Sequence, residues 1–173
     1  MLVAVLTLAV GAASMLRAVG PGEVVVVRRR GSPARTRRRG LLMVLPGLDE
    51  AVRVPVHFDV TPLVVPARTA DGVDVRIEGA AHLQVVDPVR ATASETRHRA
   101  GQVLEGALAE AAVHSWLADL ARRRDSVRDR AAAAVTPELR ALGLELDTLV
   151  VDAIELNLTP ELLAWADRRP PSD

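Results

Sequence analysis

Acid–base or metal chemistry in this sequence would fall first to its four histidines, His57, His82, His98 and His114. None forms a close pair of the His-Glu-x-x-His kind, in which two imidazoles one helical turn apart grip a zinc ion, so no metal site is expected. His82 falls on the polar side of an alternating segment and His57 between apolar residues of another, while His98 and His114 occupy polar positions of a helical stretch. The first two read as surface or half-buried side chains, and the helical pair needs no function. The serines, Ser14, Ser32, Ser94, Ser115, Ser126 and Ser172, lack the glycines on both sides that a nucleophile elbow needs for its strained turn. Ser115 adjoins His114, but adjacent residues of a helix point apart and make no dyad. The absence of cysteine removes thiolate nucleophiles, thiolate metal sites and disulfides together. No glycine-rich phosphate loop follows a strand, and no lysine exists to complete one. The expectation is a chain with no catalytic residue, no metal and no cofactor.

Arginine carries the stronger signal. All 22 basic residues are arginine, and seven of them, Arg28, Arg29, Arg30, Arg35, Arg37, Arg38 and Arg39, fall within twelve positions, although 22 acidic residues bring the formal charge to zero. A GC-rich coding bias accounts for arginine in place of lysine; it does not account for the clustering. Three readings compete: a solvated hairpin loop turning at Gly31-Ser32-Pro33, a contact with anionic lipid headgroups, and a nucleic-acid patch. The last needs stacking aromatics around the charge, and one Phe, two Trp and no Tyr do not supply them, so no nucleic acid is expected. A second mixed-charge stretch, Asp119 to Arg130, reads as exposed pairs worth roughly 0 to 1 kcal/mol each.

The neighbouring segment favours lipid. Met1 to Leu16 is apolar apart from Thr7 and Ser14, with Leu2, Val5, Leu6, Leu8, Val10 and Leu16 as its bulky members. At about 1.5 Å per residue this helix is short for a hydrocarbon core about 30 Å thick, but a snorkelling Arg17 would let Ala18 and Val19 contribute. Residues 1–19 are therefore read as a membrane anchor. The rival, a cleaved signal releasing a secreted binding domain, lacks the positive n-region such peptides carry. The arginine flank then holds the adjoining domain on the cytoplasmic side, facing anionic headgroups.

The elements that position these residues change period midway. Glu23 to Arg29 reads as a strand, Leu41 to Leu45 as a second, Pro46-Gly47 as a turn and Glu50 to Val56 as a third, with Pro55, Pro62 and Pro66 confining the segments around them to sheet edges or breaks. Val73, Val75, Ile77, Gly79, Ala81, Leu83 and Val85 alternate with polar residues along one long half-buried strand ended by Asp87-Pro88. Val103, Leu104, Ala107, Leu108, Ala111 and Ala112 then mark a helix from about Thr96 to Leu120. A second is expected from about Asp125 to Val135, a restart at Thr136-Pro137-Glu138, a stop at Gly143 and a last strand over Leu144 to Leu156, irregular near Thr148. Trp116 and Trp165 read as core or interface anchors. The fold class is α+β: an N-terminal membrane segment, then a twisted, mainly antiparallel sheet with two or three helices on one side.

Four stretches carry a resemblance. Val19-Gly20-Pro21-Gly22-Glu23-Val24-Val25-Val26, Arg39-Gly40-Leu41-Leu42-Met43-Val44-Leu45-Pro46, Thr69-Ala70-Asp71-Gly72-Val73 with its strand to Asp87-Pro88, and Leu142-Gly143-Leu144-Glu145-Leu146 running to Ile154-Glu155-Leu156 occur in the order of the stomatin/prohibitin/flotillin family, the band 7 or SPFH domain. The sequence resembles that family from about Val19 to Leu158. The resemblance implies an anchor (1–19), an SPFH-like domain (20–158) and a short helix with a Pro-rich tail (159–173), acting as a non-enzymatic membrane scaffold or adaptor rather than a small hydrolase. It implies membrane lipid, a membrane protease, transporter or other membrane protein, and copies of the same chain as partners. Leu162 to Ala166 gives barely two turns where the family lengthens into a coiled coil, so assembly is expected through sheet edges and helix faces.

Overall fold

The computed structural model describes residues 16–122 and 124–156. Among these residues eight strands, β1 (Leu16–Val19), β2 (Glu23–Arg29), β3 (Ser32–Arg37), β4 (Gly40–Met43), β5 (Asp49–Pro55), β6 (His57–Arg68), β7 (Asp74–Val85) and β8 (Leu144–Leu156), accompany three helices, α1 (Thr96–Val113), α2 (Leu117–Arg122) and α3 (Arg124–Ala141), and a 3₁₀ turn at Arg90–Thr92. The class is α+β, as the sequence predicts. The single expected sheet is instead three: a β1–β4 ribbon, β3–β2–β5 and β6–β7–β8.

Leu2, Val5, Leu6, Leu8 and Val10 lie outside the described residues. The expected end of the anchor does not. Leu16 to Val19 form β1, paired antiparallel with β4 from Leu16–Met43 to Val19–Gly40, so any helical anchor ends before Leu16. No helix among the described residues is long and apolar enough to cross a membrane.

The described residues fall into two compact units. The first runs to Val60 and adds His82–Ala100 and Thr136–Thr148; the second holds Thr61–Ala81, Gly101–Val135 and the chain from Leu149 on. In the first, β2 is the central strand, flanked antiparallel by β3 and β5, and its four consecutive valines, Val24 to Val27, are all buried. A continuous apolar run suits a strand covered on both faces. Arg28 of β2 donates from Nη2 to the Val89 carbonyl at 3.2 Å and to Thr92 Oγ1, which ties this sheet to the 3₁₀ turn. Gly143, after α3, sits at φ +80°, and a Cβ there would strike the Asp87 carbonyl. Its own carbonyl accepts the Val86 and Asp87 N–H groups, both at 3.0 Å, so the stop of α3 and the Asp-Pro end of β7 form one joint.

β6 includes Pro62 and Pro66 and is an edge strand, where a residue without an N–H costs no ladder bond. β7 alternates as predicted, with Val75, Ile77, Ala81, Leu83 and Val85 buried. In β8 the inward positions are Leu144 and Leu146, then Leu149 and Val151, so the alternation slips by one residue at Asp147-Thr148, the irregularity the sequence shows. Gly79 meets the carbonyl of Val150, leaving no room for a side chain.

The second unit contains the Thr-x-Asp-Gly-Val turn. Thr69 N–H donates to the Val73 carbonyl at 2.9 Å, and Val73 N–H donates back to Thr69 Oγ1 at 3.0 Å. Asp71 accepts the Leu117 N–H at the start of α2 at 3.1 Å, while Ala70 N–H donates to the Ser115 carbonyl at 3.0 Å. The hairpin tip is thereby bolted to the α1–α2 junction. A bond from the Thr69 hydroxyl, then the Leu117 N–H, holds the Asp71 carboxyl below its ordinary value.

Two helix expectations are corrected. The predicted Thr96–Leu120 helix ends at Val113, where Ser115 turns back by donating to the Ala111 carbonyl at 2.8 Å, and Leu117 opens a separate α2. Thr136-Pro137 restarts nothing, because α3 runs unbroken through Pro137. Val127, Ala131, Val135 and Leu139 are buried at spacings of four on either side of it, and that packing holds the helix across the missing N–H.

Gly79→Ala is expected to destabilise the fold by about 1–3 kcal/mol, because β8 has to move away from the new methyl group; unchanged urea denaturation would contradict the close approach. Asp71→Asn is expected to lower the thermal midpoint at pH 7. Because the folded carboxyl is held below its unfolded value, its contribution is present above about pH 4 and lost as the pH falls through the folded pKa. The midpoint difference should shrink on acidification; a constant difference would assign Asp71 no charge-dependent role.

Candidate functional site

The arginine cluster is not one loop. Arg28 and Arg29 end β2, Arg30 and Gly31 make the turn, Arg35 and Arg37 lie on β3, and Arg38 and Arg39 form the bend that leads into β4. The strand β3 is a departure from the expected solvated loop. Its sequence Ser-Pro-Ala-Arg-Thr-Arg has no apolar alternation, and only Ala34 is half-buried; its pairing, Val25 with Arg37 and Val27 with Arg35, completes the ladder of β2.

These arginines divide by partner. Arg28 is held by Val89 and Thr92. Arg29 grips Asp49 with two bonds, Nε to Oδ1 at 2.7 Å and Nη2 to Oδ2 at 3.0 Å, and this bidentate pair raises the guanidinium and lowers the carboxyl, with the Leu45 N–H also holding Asp49 ionised at 3.0 Å. Arg30, Arg35, Arg37, Arg38 and Arg39 are exposed. All seven are exposed; Arg28 and Arg29 are hydrogen-bonded within the protein, and the charge of Arg35 also acts on Asp49.

Register sets which side they occupy. Residues directly opposite share a face, so Arg35 and Arg37 lie on the same side of the sheet as Val25, Val27, Arg29, Ala51 and Arg53. Two clefts open on that side: one of about 410 Å³ lined by Arg17, Val25, Val44, Pro46, Asp49, Ala51 and Arg53, and one of about 330 Å³ whose walls include Val27, Arg29, Arg35, Leu42 and Leu45. Segment 40–46 and β1 supply the facing wall. The sequence singles out neither Arg53 nor Asp49, and it reads Arg17 only as a snorkelling flank of the anchor and Leu42 only within a stretch of the resemblance; a register is required to bring them together. Such a surface, rich in arginine with aliphatic side chains between, can bind anions and apolar chains.

Other expected residues are placed apart. His82 Nδ1 lies 2.7 Å from Asp59 Oδ1 on the exposed side of the β6–β7 hairpin. Buried Ser115 accepts from Arg130 Nη1 at 3.2 Å, and Arg130 also reaches the Ala111 and His114 carbonyls, so Ser115 belongs to the cap of α1. Trp116 is 61 % exposed, which takes it out of the core. Trp165 lies outside the described residues.

Residues 17–159 match the SPFH domain / Band 7 family. The chain is 24% identical over 147 residues to a stomatin homolog of Pyrococcus horikoshii and, equally, to a stomatin homolog of Pyrococcus abyssi. Each alignment covers 83% of this chain and 55% of the relative, so the chain spans about half the length of the curated relatives it matches. The four stretches that carry the resemblance form β2, β4, the Thr69–Val73 turn with β7, and the Gly143 joint with β8. The chain belongs to the SPFH domain / Band 7 family.

Proposed function

We propose that this chain is a membrane-anchored scaffold or adaptor of the stomatin-like class, without catalytic activity. Its domain lies on the cytoplasmic side and organises lipid or restrains a membrane protein such as a protease or transporter. Copies of the chain associate through sheet edges and helix faces, and Trp116 is available to such a contact. The observation that carries the reading is the set of exposed arginines, Arg30, Arg35, Arg37, Arg38 and Arg39, between β2 and β4 in the unit whose first strand comes directly after the apolar run. Family membership supports the same class.

Arginines near an anionic surface contribute about 1 kcal/mol each, and that contribution is screened by salt. The full chain is expected to co-float with anionic vesicles and to stay bound in high salt through its apolar run. Changing Arg30, Arg37, Arg38 and Arg39 to Gln should weaken binding to anionic vesicles by up to about 1 kcal/mol per residue, without changing binding to zwitterionic ones. A chain that does not float, or four substitutions with no effect on anionic vesicles, would overturn the reading.

A further inference from the structure

The end of the second unit that holds the Thr69–Val73 turn and the α1–α2 junction leaves large apolar side chains open. Trp116 is 61 % and Val113 50 % exposed at the junction, and Leu156, the last residue of β8, is 47 % exposed. Strand direction brings Leu156 to that end. The Val86 N–H donates to the Gly143 carbonyl and Gly79 lies against the Val150 carbonyl, so β8 advances as β7 is followed backwards, and the two neighbours run antiparallel. From Val150 the strand continues to Leu156, level with the start of β7 at Asp74. The turn before Asp74 is the one fastened to the junction, Ala70 to the Ser115 carbonyl and Asp71 to the Leu117 N–H. Singly exposed aliphatic residues are ordinary on a protein surface, but tryptophan is highly buried on average, and Trp116 stands open beside Val113.

We infer that the chain covers this surface itself, with Leu162, Leu163 and Trp165 of the segment after β8 lying against Trp116 and Val113 of the same molecule. The inference goes beyond the proposed function, in which Trp116 is open to another copy, and gives that residue an occupant within its own chain. Two observations choose the occupant. The first is the tether: five residues separate Leu156 from Leu162, a reach of up to about 20 Å at 3.3–3.6 Å per residue, whereas neighbouring strands lie only about 5 Å apart. Leu162, Leu163 and Trp165 are thus held close to the open junction by the direction of β8. The second is charge. Glu110 and Asp119, both exposed, stand on either side of the junction, and the apolar segment is followed by Arg168-Arg169. A stretch this short gains little order by itself and needs a surface, and two tryptophans in contact add an aromatic pair to the area they bury.

The chain has no cysteine, so a disulfide between two introduced residues is unambiguous. Val113→Cys with Leu162→Cys is made in the full chain, beside a reference in which Gln102→Cys, exposed on the same helix about 16 Å back at 1.5 Å per residue, replaces Val113→Cys. Mild oxidation in detergent is expected to close a disulfide within one chain for the 113–162 pair, at a rate independent of protein concentration, and to leave the 102–162 pair reduced. A second readout needs no cysteine. In the Trp165→Phe chain Trp116 is the sole tryptophan, and adding Leu162→Asp and Leu163→Asp should shift its emission to the red and open it to acrylamide quenching. A disulfide that joins two chains would assign Trp116 to a second copy and overturn the inference. Equal closure of both pairs, or closure of neither, would overturn it as well, as would Trp116 emission unmoved by the two aspartates. None of these outcomes alters flotation with vesicles, on which the proposed function is tested separately.

Discussion

Everything in the first unit depends on four consecutive valines. Val24 to Val27 are buried whichever way they point, so β2 needs a neighbour on each edge and a cover on each face. Burying each valine contributes about 1.5–3 kcal/mol, enough to order poorly patterned partners around it. β3 and β5 supply the edges. The segment 40–46 and β1 stand over Val25 and Val27, where their side chains share clefts. An arginine-rich hairpin and a ribbon that leaves Leu16, Leu41 and Met43 partly exposed are the consequences.

The second unit is organised by a polar joint. Thr69, Ala70 and Asp71 hold the β6–β7 tip to the α1–α2 junction through backbone partners, and Arg130 closes the end of α1 around Ser115. Unpaired carbonyls at a helix end must find donors, and here the donors come from another element. That explains why a buried serine beside a histidine, a pairing suggestive of chemistry in the sequence, is a structural cap.

Legibility in the sequence followed patterning. β2 and β8 have the predicted bounds, β7 begins one residue late, and Gly143 stops α3, because valine runs, strict alternation and a glycine after a helix each report a local requirement. β3 was illegible: Ser32 to Arg37 becomes a strand through the needs of β2, with no signal of its own. The restart at Pro137 failed because burial of Val135 and Leu139 outweighs a local breaker. The arginine cluster is visible as a cluster, but the hydrogen bonds that hold Arg28 and Arg29, and the charge of Arg35 acting on Asp49, are a matter of register and tertiary contact. The ribbon is hidden from the sequence for a different reason: Leu16 reads as the end of an apolar run, and its pairing with Met43 spans 27 residues of sequence.

The exposed arginines lie in one unit, and the proposed function places them toward the membrane. Hydrogen exchange on the full chain, with and without anionic vesicles, tests that assignment most directly, since amides at a lipid contact gain protection whichever side chains make it. The account predicts added protection over Leu16–Val19, the Arg30-Gly31 turn and Arg38–Met43, with α1 and α3 unchanged. Protection gained only in the helices, or nowhere among these strands, would contradict it.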